Sequence, residues 1–540
     1  MPSILFGPYA GAAGLALKLQ AAVLLQAGAP GAYAPEMAPV VDPSSTAIVS
    51  RFDSGFIEAM PILGHDYQDI LTLAPGVDDP DGDGAPNVRG ARDTDLQTRF
   101  DGGDTTDPVS GLAGQNLSPL AVERIDAITA GAPARYGRAM GGFADVTTRS
   151  GGNDFTGRLA LYWSGRFLDG DGSNRNDIDR FQGDLPAFHD ARGAVSVGGP
   201  IVRDRAWYFA SFERLDREES VSPYEGTGEI SSRGTYYMGK LSWQSGETHR
   251  TSFQIIGDPR RIDGLGVSPT TDLDSGFSLD QGGLSAQLSW AASVSDSVRF
   301  EAAITHLHTE FDVEPSSRFH ERIPVVLDLT GSLGDPHALI YPCEQSNCSE
   351  TLGERRFYRI DGFTGRARGP YPFENDDERR RDALRADVTI DVEGAAGSHR
   401  LAGGFELGRE ELRRLSHLNP ILIDSVTVFG GSQTFFVYRP AFEDRRVADQ
   451  ATGLYISDSW KPAPNLLITA GLRFDKEEID APGFVPFDPL AERRRSVALW
   501  RAVCEEAVIQ GIVPVSSNCS PLRPYDGLPP TDIPSFQSFR

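Results

Sequence analysis

The chain lacks any run of eighteen or more apolar residues uninterrupted by charge, so a helical membrane span is not expected. Basic charge is also short: 51 Lys and Arg stand against 76 Asp and Glu, a net charge of −25. A phosphate backbone requires a basic surface, so nucleic acid is excluded as a partner. The acidity serves solubility, or it marks acidic outer loops that hold divalent cations or attract cationic ligands. No GxSxG, HExxH or Walker loop occurs, and no Cys/His pair sits in a catalytic context, so an enzyme is not expected. Cysteines number only 4 in 540 residues. Cys343 with Cys348 and Cys504 with Cys519 form two local pairs in long polar segments, as short-range disulfides of an oxidising compartment would. Free thiols are the alternative. Zinc is the weakest reading, because none of the 9 histidines completes a dense ligand spacing.

What the chain does have is glycine, 58 residues, and a hydrophobic period of two from Phe155 onward. Leu384, Ala386, Val388, Ile390 and Val392 alternate with Arg385, Asp387, Thr389, Asp391 and Glu393. Leu466, Ile468, Ala470, Leu472 and Phe474 alternate with Leu467, Thr469, Gly471, Arg473 and Asp475. One apolar and one strongly polar face per strand is what lipid outside and water inside require. A barrel shows only alternate residues to lipid, so its mean hydropathy, −0.29 here, resembles that of a soluble protein. About eleven strands are predicted, from 155–168 through 382–393, 399–412 and 451–461 to 466–477. The links between them alternate between short and long, the pattern of tight periplasmic turns and long outer loops. Trp207, Tyr208, Tyr237, Trp243, Trp290, Tyr455 and Trp460 fall near strand ends, where interfacial aromatic girdles form.

Residues 38–150 read as a small mixed domain. SGFIEAMPI and HDYQDILTLAPG carry short amphipathic patterns stopped by Pro or Gly, so two short helices are predicted. PNVRG, LQTRFDGGD and GGFADVTTRS read as strands, and SPLAVERIDAITAG as one helical turn running into a strand. Between them, DDPDGDG places Asp79, Asp81 and Asp83 at alternate positions before Gly84. Such a loop offers hard oxygen donors to calcium, or is a solvated Asp/Gly turn. It is not an EF-hand, whose twelfth position would be Glu and here is Gly90.

Four dipeptides run through this region in order: Arg89-Gly90, Asp101-Gly102, Tyr136-Gly137 followed by Arg138, and Gly141-Gly142. In that order, ahead of a barrel-like region, they resemble the plug domain of TonB-dependent outer-membrane receptors, and within that family the Oar-like branch. The resemblance implies a mainly β protein: a transmembrane antiparallel β-barrel, here incomplete, with a small N-terminal α+β plug. Residues 38–150 would be the plug, 151–483 a partial barrel with long outer loops, and 484–540 a truncated outer loop. A complete barrel of this family has about twenty-two strands, so the chain is expected to be a fragment with about half of them. Residues 1–37 are a signal-like segment with a poor basic start, or a degenerate pre-plug remnant.

The resemblance also implies a place in the cell outer membrane of a Gram-negative bacterium, in contact with its lipid. It implies uptake of an extracellular ligand (siderophore, oligosaccharide or peptide) driven by a TonB-type protein of the inner membrane. No TonB box is evident in residues 1–45. An adhesin that reuses the barrel without transport is therefore the alternative, and a soluble calcium-binding β-protein a third. Within the plug, Gly90, Gly102 and Gly142 are expected to serve turns and packing. Arg89, Glu123 and Arg138 are candidates for ion pairs with lumen-facing carboxylates, because a charge inside a lumen needs a partner.

Overall fold

A computed structural model describes residues 21–27, 46–59, 66–82, 84–165, 188–221, 223, 226–316, 358–361, 366–394, 397–418, 421–426, 432–437, 442–463 and 465–480. The first strand, β1 (Ala21–Ala27), falls in the segment expected to be signal-like. The plug region follows with β2 (Ile48–Asp53), α1 (Ser54–Ala59), α2 (Tyr67–Leu71), β3 (Val77–Asp78), β4 (Asn87–Val88), β5 (Leu96–Phe100), β6 (Gly103–Asp104), β7 (Val122–Ala130) and β8 (Gly142–Thr148). Both helices stand where the amphipathic patterns predict them. Pro119 opens the expected turn, Pro119–Ala121, which needs no donor at that position and hands directly into β7. Five strands make a mixed sheet in the order β2-β7-β8-β5-β6, with β5 parallel to β8.

The wall consists of β9 (Thr156–Gly165), β10 (Phe188–Val202), β11 (Ala206–Val221), β12 (Gly228–Ser245), β13 (His249–Gly257), β14 (Arg260–Leu265), β15 (Phe277–Ser295) and β16 (Val298–Pro315). After the short β17 (Tyr358–Asp361) and β18 (Ala367–Arg368) it continues with β19 (Phe373–Gly394) and β20 (Gly397–Leu418). Beyond β21 (Ile421–Val426) and β22 (Ser432–Val437) it ends, among the described residues, with β23 (Phe442–Ala463) and β24 (Leu466–Asp480). The long strands pair in chain order, all antiparallel, and β1 pairs with the far edge of β9 from Ala21 opposite Trp163 to Ala27 opposite Gly157. That pairing gives the β9 edge partners for N–H and C=O groups that would otherwise be bare.

Eleven strands of the wall coincide with those predicted, but several run further. β19, β20 and β23 each extend over 22 residues. Their apolar alternation ends near Leu384, Leu407 and Leu454, while the ladder continues through charged pairs such as Glu378 opposite Arg413. A hydrogen-bond ladder needs no apolar face where both faces meet water. At about 3.3 Å per residue such strands exceed the roughly 30 Å hydrocarbon layer about twofold. β14 continues the line of β13 after a break at Asp258-Pro259, where proline supplies no ladder donor. The small sheet β18-β17-β21-β22 lies in links predicted as loops.

The two faces of the wall separate as the period of two demands. Ile304, Leu454, Ile456, Leu472 and Phe474 point outward with 51–77% exposure, a stripe suited to hydrocarbon. The inner face is not uniform. On β11, β12 and β13 it offers Phe209, Met238 and Ile256, which join the buried core of the plug with Tyr67, Ile70, Phe100, Val122 and Ile125. On β19 to β24 it offers charge. The plug thus shares an apolar core with β11 to β13, with polar ties such as Lys240–Asp101 beside it, and meets β19 to β24 by ion pairs, whereas the sequence suggested a uniformly polar inner face.

Candidate functional site

The charged side of the plug–wall contact is built around the Tyr136-Gly137-Arg138 turn. Arg138 adopts a left-handed φ of 62°, which turns its side chain away from the plug toward β20, β23 and β24. Its Nη2 lies 3.0 Å from Glu410 and 3.6 Å from Asp449, and its Nε donates to Glu477 at 2.8 Å. Gly137 is required by close approach: a Cβ there would collide with the Arg473 guanidinium. Arg473 Nη1 instead donates to the Arg135 carbonyl at 3.0 Å, and the same side chain pairs with Glu406 and Asp475.

Glu406 and Glu410 each bridge one plug arginine and one wall arginine. Glu410 serves Arg138 and Arg381, and Glu406 serves Arg99 at 3.8 Å and Arg473 at 3.4 Å. Arg381 returns to the plug through Asp104 at 3.0 Å and the Thr106 carbonyl at 2.6 Å. Gly408, two residues from each glutamate on the same face, leaves a small cavity lined also by Ala383, Ala451 and Gly453. Burial alone would push the Asp104 carboxyl up, but Arg381 and Arg99 outweigh it and hold it below the ordinary value. It therefore remains an ionised partner at neutral pH.

Other ties surround the plug. Asp101, with φ of 47°, accepts Lys240 Nζ at 3.0 Å, while Arg385 Nη1 donates to the Gly102 carbonyl at 2.9 Å. A Cβ on Gly102 would stand 2.6 Å from that guanidinium, so glycine is needed there for contact as well as for its φ of 78°. Ser118 Oγ donates to Glu213, Gln115 Nε2 to the Ile256 carbonyl, and the Asn116 N–H to Asp258. Near the base of the wall, Glu58 accepts Arg149 at 2.5 Å and lies 3.5 Å from Arg158.

Of the residues singled out from the sequence, Arg138 faces wall carboxylates as described. Glu123 is half exposed and lies 3.9 Å from Arg149, on the plug side. Arg89 and Gly90 have positive φ, 51° and 75°, in a turn closed by the Arg89 N–H on the Gly76 carbonyl. No ion pair joins Arg89 among the described residues. Gly141 and Gly142 pack against Asp95, Val88 and the Ile128 carbonyl. Asp79 spends its carboxylate on the N–H groups of Gly82 and Gly84, at 2.9 and 3.0 Å. Asp81 is exposed, Asp83 lies outside the described residues, and no three metal-ligating side chains converge among the described ones. Cys343, Cys348, Cys504 and Cys519 all lie outside the described residues. Glu406, Glu410, Arg381, Arg473 and Lys240 escaped the sequence reading. Period two puts them on the inner face, but nothing in it says which of many inner charges meet the plug.

A model of the TonB-dependent Receptor Plug Domain matches residues 43–143, the segment that lies within this wall. The TonB-dependent transporter Oar of Myxococcus xanthus is 27% identical over 270 residues, 42% of this chain and 25% of that protein. The outer membrane transporter YddB from Escherichia coli superposes with a TM-score of 0.59 at 14% identity, over 79% of this chain and 56% of its own. FpvA of P. aeruginosa, solved with heterologous pyoverdines, gives 0.56 at 12% identity, over 82% of this chain and 53% of its own. The chain thus spans about half the length of these solved transporters and a quarter of Oar. Residues 43–143 thus carry the plug domain of TonB-dependent receptors, seated against an antiparallel wall, in a chain similar in sequence to the transporter Oar.

Proposed function

We propose that this chain supplies the plug and part of the barrel wall of an outer-membrane receptor that imports an extracellular ligand under TonB control. The observation that carries this reading is the kind of bond between plug and wall. Pairs such as Arg138–Glu477 and Arg138–Asp449 are partly open to lumen water, where ion pairs exchange partners at low cost, while buried ones such as Arg381–Asp104 are the firmer ties. A permanently closed domain would instead continue the apolar packing of β11 to β13 around its whole circumference. Transport, not catalysis, is therefore the role. The cargo is a siderophore, an oligosaccharide or a peptide; FpvA bound to pyoverdines and the ferric citrate transporter FecA are structural relatives that favour a siderophore. The protein resides in the outer membrane and works with a TonB-type partner of the inner membrane.

The test is growth of the source bacterium on limiting iron or on a single carbon source, with the gene deleted and restored. Ligand-dependent growth that also requires the energising protein supports import. Ligand binding at the cell surface without any TonB requirement would favour the adhesin reading instead.

A further inference from the structure

On the outward face of the wall, near the short turns that follow β19 and β23, one acid interrupts the apolar stripe. Leu454 and Ile456 on β23 point outward, so period two sets Asp458 and Trp460 on the same face. The direct cross-strand neighbours of Asp458 are Leu401 on β20 and Ala470 on β24, whose side chains offer no donor. Its side-chain partner is His399, whose Nδ1 lies 2.8 Å from Oδ2. Oδ1 is buried and has no hydrogen-bond partner among the described residues. The wall thus leaves this carboxylate short of donors, while about a third of the side chain is exposed on the lipid side. A charge at the edge of hydrocarbon needs a partner. His399 also stacks flat on Trp460, its direct cross-strand partner, with ring centroids 5.5 Å apart and planes 5° from parallel. A second stack, His249 on Trp290, stands at the same end of β13 and β15, 5.9 Å apart and 14° from parallel. Among the described residues, no carboxylate joins that one.

We propose that Asp458, His399 and Trp460 form a headgroup site for phosphatidylethanolamine on the lipid-facing surface of the wall. Trp460 marks the headgroup level, where an indole sits between hydrocarbon and water. At that level the leaflet itself supplies the missing donor: the primary ammonium of the headgroup, a cation with N–H groups. It donates to the exposed side of the Asp458 carboxylate as a charge-assisted hydrogen bond. The imidazole holds that carboxylate in place, since Nδ1–H binds Oδ2 and the stack on Trp460 fixes the ring. Asp458 therefore touches the lipid, and His399 is a positioning residue. The acyl chains lie along the outward stripe of Leu401, Ile456 and Leu472, exposed at 38%, 62% and 77%. The inference rests on the wall facing lipid and not on what the receptor imports.

The test uses the purified full chain in detergent micelles, so a failure of transport in cells leaves its result intact. The micelles carry phosphatidylethanolamine and phosphatidylcholine with the same acyl chains, and native mass spectrometry reads the ratio retained. Both headgroups bear the same charges, but the choline nitrogen has no N–H. Wild type should favour phosphatidylethanolamine about tenfold or more, and Asp458→Asn should lose that preference, as loss of a charge-assisted bond predicts. Because the readout is a ratio, a variant that merely binds less of both lipids does not mimic the result. His399→Phe keeps a ring on Trp460 without the bond to Asp458 and should lower the preference, while His399→Gln, which restores an N–H donor, should recover part of it. Asp382→Asn breaks another outward His–Asp pair, with His306, farther toward the long links, and should behave as wild type. Glycerophosphoethanolamine, the same headgroup without chains, should not displace the lipid at equal concentration. Equal retention of the two lipids, an undiminished preference in Asp458→Asn, or an equal loss in Asp382→Asn overturns the site. Displacement by the chain-free headgroup overturns the lipid as its occupant, and an unchanged ratio in His399→Phe removes His399 from it.

Discussion

Glu410 on β20 holds Arg138 of the plug at 3.0 Å and Arg381 of the wall at 3.1 Å through the same oxygen. One carboxylate between two guanidinium groups ties the plug to the wall. Because Arg138 also meets Asp449 and Glu477, its charge is overcompensated on the wall side.

Replacing Arg138 by Gln should therefore loosen the plug locally. The loss expected for bonds to a charged partner is about 1.5–3 kcal/mol, or about 10–100-fold in local opening. Hydrogen exchange at 134–141 and 99–106 measures it. Exchange at α1 and α2, on the apolar side, should change little.

Gly137 and Arg473 should behave as one unit. Gly137→Ala forces the guanidinium off the Arg135 carbonyl, while Arg473→Ala removes the obstacle at the cost of its bonds. The double variant should be less damaged than the sum of the single ones, by about 0.5–3 kcal/mol in a double-mutant cycle. Strict additivity would show that the two do not touch.

Acid should act on the plug in two opposite limbs. Burial pushes Asp107 up, but Arg379 and the Ser110 backbone prevail, so Asp107 like Asp104 ionises below its ordinary 3.8. Their contribution is present above that value and is lost as pH falls through the depressed folded values. Asp69 is the reverse: burial, then the Asp66 charge, push it up to about 6. Its folded form prefers the proton, so stability rises as pH drops from above 6 toward 3.8. Exchange protection of the plug should rise modestly between pH 7 and 5 and fall below pH 3.8. Asp69→Asn should reduce the first limb, to which the carboxyls of Asp66, Glu58 and Glu123, also pushed up by burial, contribute, and leave the second limb unchanged.

Leu472 and Arg473 are neighbours on opposite faces of β24. Leu472→Arg puts a charge on the lipid side and should cost about 2–4 kcal/mol near the bilayer midplane, falling toward its edges. Reduced recovery in the outer-membrane fraction would report it. Arg473→Leu should leave membrane insertion intact and affect only the plug.

Much of this arrangement is legible in the sequence because both causes are local. Alternation such as Leu384-Arg385-Ala386-Asp387 names the inner and outer face of a strand without any knowledge of its neighbours. Gly137 and Gly102 mark close approaches by residue type alone. The partners are not local: Arg138 and Glu477 are 339 positions apart, and only the sheet register brings them together. Strand ends were misjudged on β19, β20 and β23 because hydrophobicity stops where lipid stops, whereas the ladder does not. The apolar inner patch of Phe209, Met238 and Ile256 was hidden for a related reason. On strands with apolar residues on both faces, period two no longer says which one is inside.

The plug packs against the inner face of the wall, and a designed cross-link tests that directly. A Cβ on Gly103 would stand 2.9 Å from Thr305 Oγ1 of β16, close enough for a disulfide if both become cysteine. The measurement is made on outer membranes, with Cys343, Cys348, Cys504 and Cys519 replaced by serine. We predict that Gly103→Cys/Thr305→Cys oxidises to a single intramolecular bridge joining plug and wall peptides in a non-reducing digest. Two free thiols, alkylated independently under the same conditions, would contradict a plug seated in the lumen.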